Sequence, residues 1–137
     1  MARLEFSHLH SYASGIEGIS IPVALRHGGQ IIDLLAHVDT GASHCLFKRE
    51  QGELLGLDIE SGDRMTFSTA TGGVSAFGHL VTIETLGLSF ESIVYFFADA
   101  HISRNLLGRQ GWLDRIRFGL VDHDQALYLA EYDFSSR

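Results

Sequence analysis

The sequence predicts a mostly-β fold, on three observations. Its apolar runs are short, rich in β-branched and aromatic residues, and punctuated by glycine, as in "ISIPVAL" and "IVYFFA". One proline, Pro22, stands against 15 glycines, so turns fall mainly to Gly, Asn and Asp. Only two brief stretches, "REQGELLGLD" and the segment after Gly108, read as helix. Short strands at regular spacing with two brief helices indicate one β-rich domain, and 137 residues with 45% hydrophobic content suit a single core.

Taken in order, residues 19–25 form a strand that Pro22 places at a sheet edge, because proline donates nothing to a ladder. "RHGGQ" is a hairpin turn and "IIDLLAHV" (31–38) its partner strand. "CLFK" (45–48) is a short strand, and "REQGELLGLD" one or two helical turns stopped by Gly56. "DRMTFSTA" and "VSAFGHLVTIETL" flank "TGG" as a second hairpin, and "GLSFESIVYFFA" carries a turn and a strand. "RNLLGRQGWLDR" ends a short strand and starts a helix anchored by Trp112. "IRFGLV" and "ALYLAEY" are strands joined by "DHDQ", and the tail "DFSSR" is polar and frayed. No repeat and no linker divides the chain.

Charge and cysteine usage narrow the function classes. Lys+Arg number 10 against Asp+Glu 17, a formal net charge of -7. That argues against a nucleic-acid partner or an anionic membrane surface, since both want a basic face. The single Cys45 excludes an intrachain disulfide framework and fits a reducing compartment. No apolar stretch is long enough to span a bilayer, and "MARLEFSHLH" lacks a secretory signal, so the expected location is cytoplasmic.

"HVDTGASHC" (37–45) carries the chemical interest. A carboxylate at the end of an apolar strand is costly unless its charge is used. Asp39 alone reads as a turn residue, a helix cap, a metal ligand or a catalytic acid. Two later features stand in order behind it: the glycine-tipped hairpin "STATGGVSAFG", and "RNLLGRQGWL", whose Asn105-Leu106-Leu107-Gly108-Arg109 begins about 66 residues after Asp39. Together the three resemble the retroviral-type (retropepsin-like) aspartic proteases, single-domain relatives of pepsin. The likeness covers about residues 16–132 of a 1–137 domain. It implies a closed β-barrel with one short C-terminal helix, and aspartic endopeptidase activity on an extended peptide without metal or other cofactor.

In that chemistry two carboxylates hold one water. One takes a proton from it while the other protonates the substrate carbonyl. At ~3 Å apart the pair cannot both ionise, so its apparent pKa values split. This chain has one D-T-G, so the resemblance implies a homodimer with one Asp39 from each copy around a two-fold axis. It further implies that Thr40 hydrogen-bonds across that axis and that Gly41 aims the carboxylate. Ala42 stands where pepsin-like enzymes carry a hydroxyl donor, which predicts a pH optimum less acidic than pepsin's. Thr71, Gly72 and Gly73 would form the tip of a flap over the substrate, flanked by Val74, Phe77 and Leu80, which line pockets or pack. Gly108 would let its segment pass behind the catalytic loop. Ser43 replaces the acid that usually pairs with the Arg of the G-R step, leaving Arg109 to meet another acid or the partner. The viral enzymes interleave their terminal strands; "MARLEF" and "ALYLAEY" are the candidates here.

Blander readings stand beside these. A protease-fold binding or dimerisation module without turnover would keep the same motifs. His8 and His10 share a strand face, and His37, Asp39 and His44 are close in sequence, but no HExxH or Cys/His cluster appears, so no metal is expected. His37 shares a face with Asp39 and reads as a surface or dimer-contact residue before a tuner of the acid. Cys45 lacks a base-and-orienter pattern and reads as a buried structural thiol.

Overall fold

The structure is a computed structural model and describes residues 1–13, 15 and 18–135. It is mostly β. Strands β2 (Ser20–His27) and β3 (Gln30–Val38) pair from Ser20↔His37 to His27↔Gln30. Gly28 and Gly29 close this hairpin at φ 53° and 85°, the left-handed pair that a two-residue turn requires. Along β2, Ile21, Val23 and Leu25 are buried and alternate with Pro22 and Arg26 outside. The other edge of β2 meets β6 (Gly72–Thr85) only at Ala24–Arg26, so Pro22 lies where no neighbour asks for its missing N–H.

Strands β5 (Asp63–Thr69), β6 and β7 (Leu88–Phe97) form a long antiparallel meander. Two-residue strands β4 (Leu46–Phe47) and β8 (Leu106–Leu107) are wholly buried and complete a seven-stranded sheet of order β2-β3-β8-β4-β7-β6-β5. The extra β2–β6 pairing folds this sheet over its own core. Helix α1 (Arg49–Leu54) packs close against Phe96, where a Cβ on Gly52 would come within 2.9 Å of the ring. Gly56, at φ 80°, ends it: the amides of Gly56 and Leu57 donate to the carbonyls of Glu53 and Gly52.

A second sheet, of order β1-β10-β9, joins β1 (His8–Ser11), β10 (Ala126–Glu131) and β9 (Ile116–Val121). Its Leu127 and Leu129 enter the same core as Ile21, Leu25, Phe47, Phe96 and Trp112. Trp112 is fully buried, and its Nε1 donates to Thr85 Oγ1 at 3.0 Å, so the indole satisfies its one polar atom. Among the described residues no helix is long and apolar enough to cross a membrane.

Three expectations are corrected. The helix lies early in the chain, at Arg49–Leu54, and the segment after Gly108 makes only a 3-10 turn at Leu113–Arg115. Gly111 at φ 98° breaks any helix there, and β9 begins at Ile116, so one turn is all that fits. The N-terminal strand is "HLHS", not "MARLEF". It pairs with β10 of its own chain, and β9 takes the other edge of β10, which leaves that strand no edge to share with a second copy. The tip of the second hairpin is Ala70–Thr71; Gly72 and Gly73 already pair with Thr69 and Ser68.

Candidate active site

β3 delivers Asp39 as the first residue beyond its end. Its final residues run parallel to β8, with His37↔Leu106 and Val38↔Leu107 in register. The amide of His37 donates to Asn105 O at 2.8 Å and that of Asp39 to Leu107 O at 2.9 Å. The chain then turns tightly, Ala42 N donating to Asp39 O at 3.1 Å. The Asp39 carboxylate is half-buried, and its Oδ1 accepts from Gly41 N at 2.9 Å. A Cβ on Gly41 would sit 3.3 Å from that oxygen. Ala42 offers a methyl group and no donor.

The loop is fastened from behind. Arg109 N donates to Ala42 O and Gln110 N to Ser43 O, both at 2.9 Å. A Cβ on Gly108 would lie 2.7 Å from Ala42 O and would strike His44 O, both backbone atoms that cannot yield cheaply. Asn105, 7% exposed, completes the fastening: its Oδ1 accepts from Lys48 N at 3.0 Å and its Nδ2 donates to Leu35 O at 3.2 Å. One buried amide thus ties β3, β8 and the chain leaving β4. In the sequence Asn105 stands only as part of the N-L-L-G-R motif; the signal for its role is a polar residue directly before a buried apolar pair.

Asp39, Gly41 and Ala42 floor a cleft of about 670 Å³. Leu46, Phe97, Ile102 and Leu106 form its back wall, and Phe67 to Thr71 with Val74 its lid side. At the hairpin tip Thr69 Oγ1 donates to Gly72 O at 2.5 Å and Thr71 N donates to Thr69 Oγ1 at 3.3 Å; Gly72 sits at φ 124°. His44 stands edge-on between Phe67 and Tyr95, with centroids at 5.4 and 5.2 Å, and couples the base of the hairpin to the catalytic loop.

Of the residues singled out in the sequence, Asp39, Gly41, Ala42 and Thr71 meet in this cleft, while Gly72 and Gly73 do not line it. Thr40 and Arg109 are exposed and share a neighbouring recess with Ser43, Gln110 and Asp114. The Arg109 side chain makes no hydrogen bond or ion pair among the described residues. Val74 faces the cleft, Phe77 packs on the main core, and Leu80 is 55% exposed. Cys45 is fully buried, which pushes its thiol up to about 12 and keeps it protonated. No cluster of three His, Cys, Asp or Glu residues poised for a metal exists among the described residues.

The aspartyl protease family model matches residues 23–110. The crystal structure of a retropepsin-like aspartic protease from Rickettsia conorii is similar with a TM-score of 0.64 at 21% identity, covering 90% of this chain and 99% of that one. The EIAV protease complexed with the inhibitor HBY-793 is similar with a TM-score of 0.54 at 20% identity, covering 71% and 88%. Among curated proteins none matches the chain. At these identities the likeness to solved structures establishes the fold.

Proposed function

Because the chain belongs to the aspartyl protease family and has a retropepsin-like fold, we propose that it is an endopeptidase active as a homodimer, Asp39 of each copy activating one shared water. A single observation carries this reading. Asp39 is the one carboxylate among the described residues that line the cleft, whereas the chemistry needs two. A second copy supplies the other.

In this reading the ionised member of the pair takes a proton from the water as it attacks the peptide carbonyl. The protonated member donates to the carbonyl oxygen. Gly41 N steadies one oxygen of Asp39, Ala42 adds no further donor, and the expected pH optimum is less acidic than pepsin's. A pH–rate profile peaking at about pH 2 contradicts that. The β5–β6 hairpin acts as the flap, with its tip at Ala70–Thr71 offering backbone to an extended substrate. The exposed Thr40 and the unpartnered Arg109 lie on the face that meets the second copy. Residues 1–137 act as one domain with its core at about 16–132, and its larger sheet is read as a barrel for which the β2–β6 pairing is the support. The fully buried lone thiol fits a cytoplasmic setting.

The occupied edges of β10 favour a second reading, a protease-fold binding module that never brings its two loops together. Mass in solution and cleavage of a peptide library by wild type and Asp39→Asn separate the two. A dimer whose cleavage is abolished by the substitution supports the enzyme. A folded protein that cleaves no peptide from about pH 4 to 8 supports the module.

A further inference from the structure

A second pocket, of about 440 Å³, opens beside Asp39 and contains none of the hairpin residues. It shares Asp39, Arg104 and Leu106 with the cleft, so one bound peptide reaches both. Resting on the peptidase reading above, we infer that this pocket takes an acidic side chain, Glu or Asp, of the substrate close to the scissile bond.

The charges converge against the trend of the chain. The protein carries a net charge of -7, and most of its guanidinium groups are engaged: Arg26 with Glu84, Arg49 with Glu53 and Glu60, Arg64 with Ser75, Arg115 and Arg117 with main-chain carbonyls. Lys48 and Arg104 both line this pocket, and neither side chain has a hydrogen bond or ion pair among the described residues. His37 lines the same pocket. Asp39 is the one acid among the described lining residues, and it is committed to the water. Two free cations are poor surroundings for an apolar or basic side chain, and good ones for a carboxylate.

The pocket is also built rather than incidental. Asn105 pins the Lys48 amide and the Leu35 carbonyl to one another, which fixes the ammonium-bearing residue at the wall. Ile19 and Leu35 give the carbon stem of a Glu something apolar to lie on. The neighbouring cleft is walled by Leu46, Phe97 and Ile102, so the preferred sequence sets an apolar residue and an acidic one around the cleaved bond.

The test compares matched peptides with Glu or Gln at positions flanking the scissile bond. The expected kcat/KM ratio is about tenfold in favour of Glu, shrinking as salt is raised. Lys48→Gln/Arg104→Gln, checked for an unchanged melting transition, is expected to bring the ratio to about one, and Lys48→Glu/Arg104→Glu to turn preference toward a Lys peptide. A wild-type ratio of one, or a preference untouched in the double variant, overturns the inference. Fluorescence anisotropy with the same peptides on Asp39→Asn protein reads the pocket without turnover. Preferential binding of Glu peptides by the variant, when the wild type cleaves nothing, sinks the peptidase reading and keeps the pocket; wild-type cleavage without acid preference does the reverse; equal or no binding of the two peptides overturns the pocket.

Discussion

The catalytic loop and the hairpin tip face each other across one cleft, and they are held in opposite ways. Residues 39–43 are fixed by bonds from far along the chain: Asp39 N to Leu107 O, Arg109 N to Ala42 O and Gln110 N to Ser43 O. Among the described residues, the tip, Ser68 to Gly73, bonds only within its own hairpin. Placing a carboxylate for proton transfer tolerates little displacement, so it is built from long-range contacts. A lid that admits and releases peptide must open, so it is built from local ones. Substitutions on the two sides should therefore fail differently: in chemistry or stability at the loop, in substrate handling at the tip.

The largest effect belongs to Asp39→Asn. Peptide cleavage is expected to fall by about 10²–10⁴-fold or more with the fold intact, read from initial rates beside a circular dichroism melt. Next comes Gly108→Ala, where the new methyl group meets main-chain carbonyls on the loop. Thermal or urea unfolding should show a loss of about 3 kcal/mol; an unchanged melt would remove the close approach from the account. Asn105→Ala leaves the Lys48 amide and the Leu35 carbonyl without partners and should cost about 2 kcal/mol in the same measurement.

At the tip, Gly72→Val forces a β-branched residue to φ 124° and should raise KM several-fold while shifting the melt little. A large loss of stability there would erase the contrast between the two regions. The smallest effect concerns Cys45. Its thiol is raised from about 9 to about 12 by burial, so the folded protein holds that proton more tightly than the unfolded chain. This contribution is complete below about pH 9 and is lost as pH rises from there toward about 12. Wild type should lose stability over that window more steeply than Cys45→Ala, and alkylation of the thiol should require unfolding.

Local chemistry was legible in the sequence where it is settled by neighbours in the chain. The Gly28-Gly29 turn, the Gly56 helix stop, the strands at 63–69 and 116–121, and Asp39 at the mouth of an apolar strand all follow from residues within a few positions. Most of what failed depends on distant partners, with the helix after Gly108 the exception. Leu113–Arg115 carries a helix-like composition, but Gly111 and the early start of β9 limit it to one turn. "MARLEF" makes no strand because the edge of β10 is taken by "HLHS", whose His8 and His10 already read as sharing a strand face. The Lys48, Arg104 and His37 pocket was invisible for the same reason: its members are up to 67 positions apart and meet only through β3, β8 and Asn105.

Mixing tests the central claim most directly. Wild type and Asp39→Asn are combined in equal amounts, allowed to exchange, and compared with wild type alone at the same total concentration. If two copies each supply one Asp39, only the wholly wild-type pairs cleave, and activity falls to about a quarter. Activity that falls only to about half, as for chains acting singly, contradicts the account.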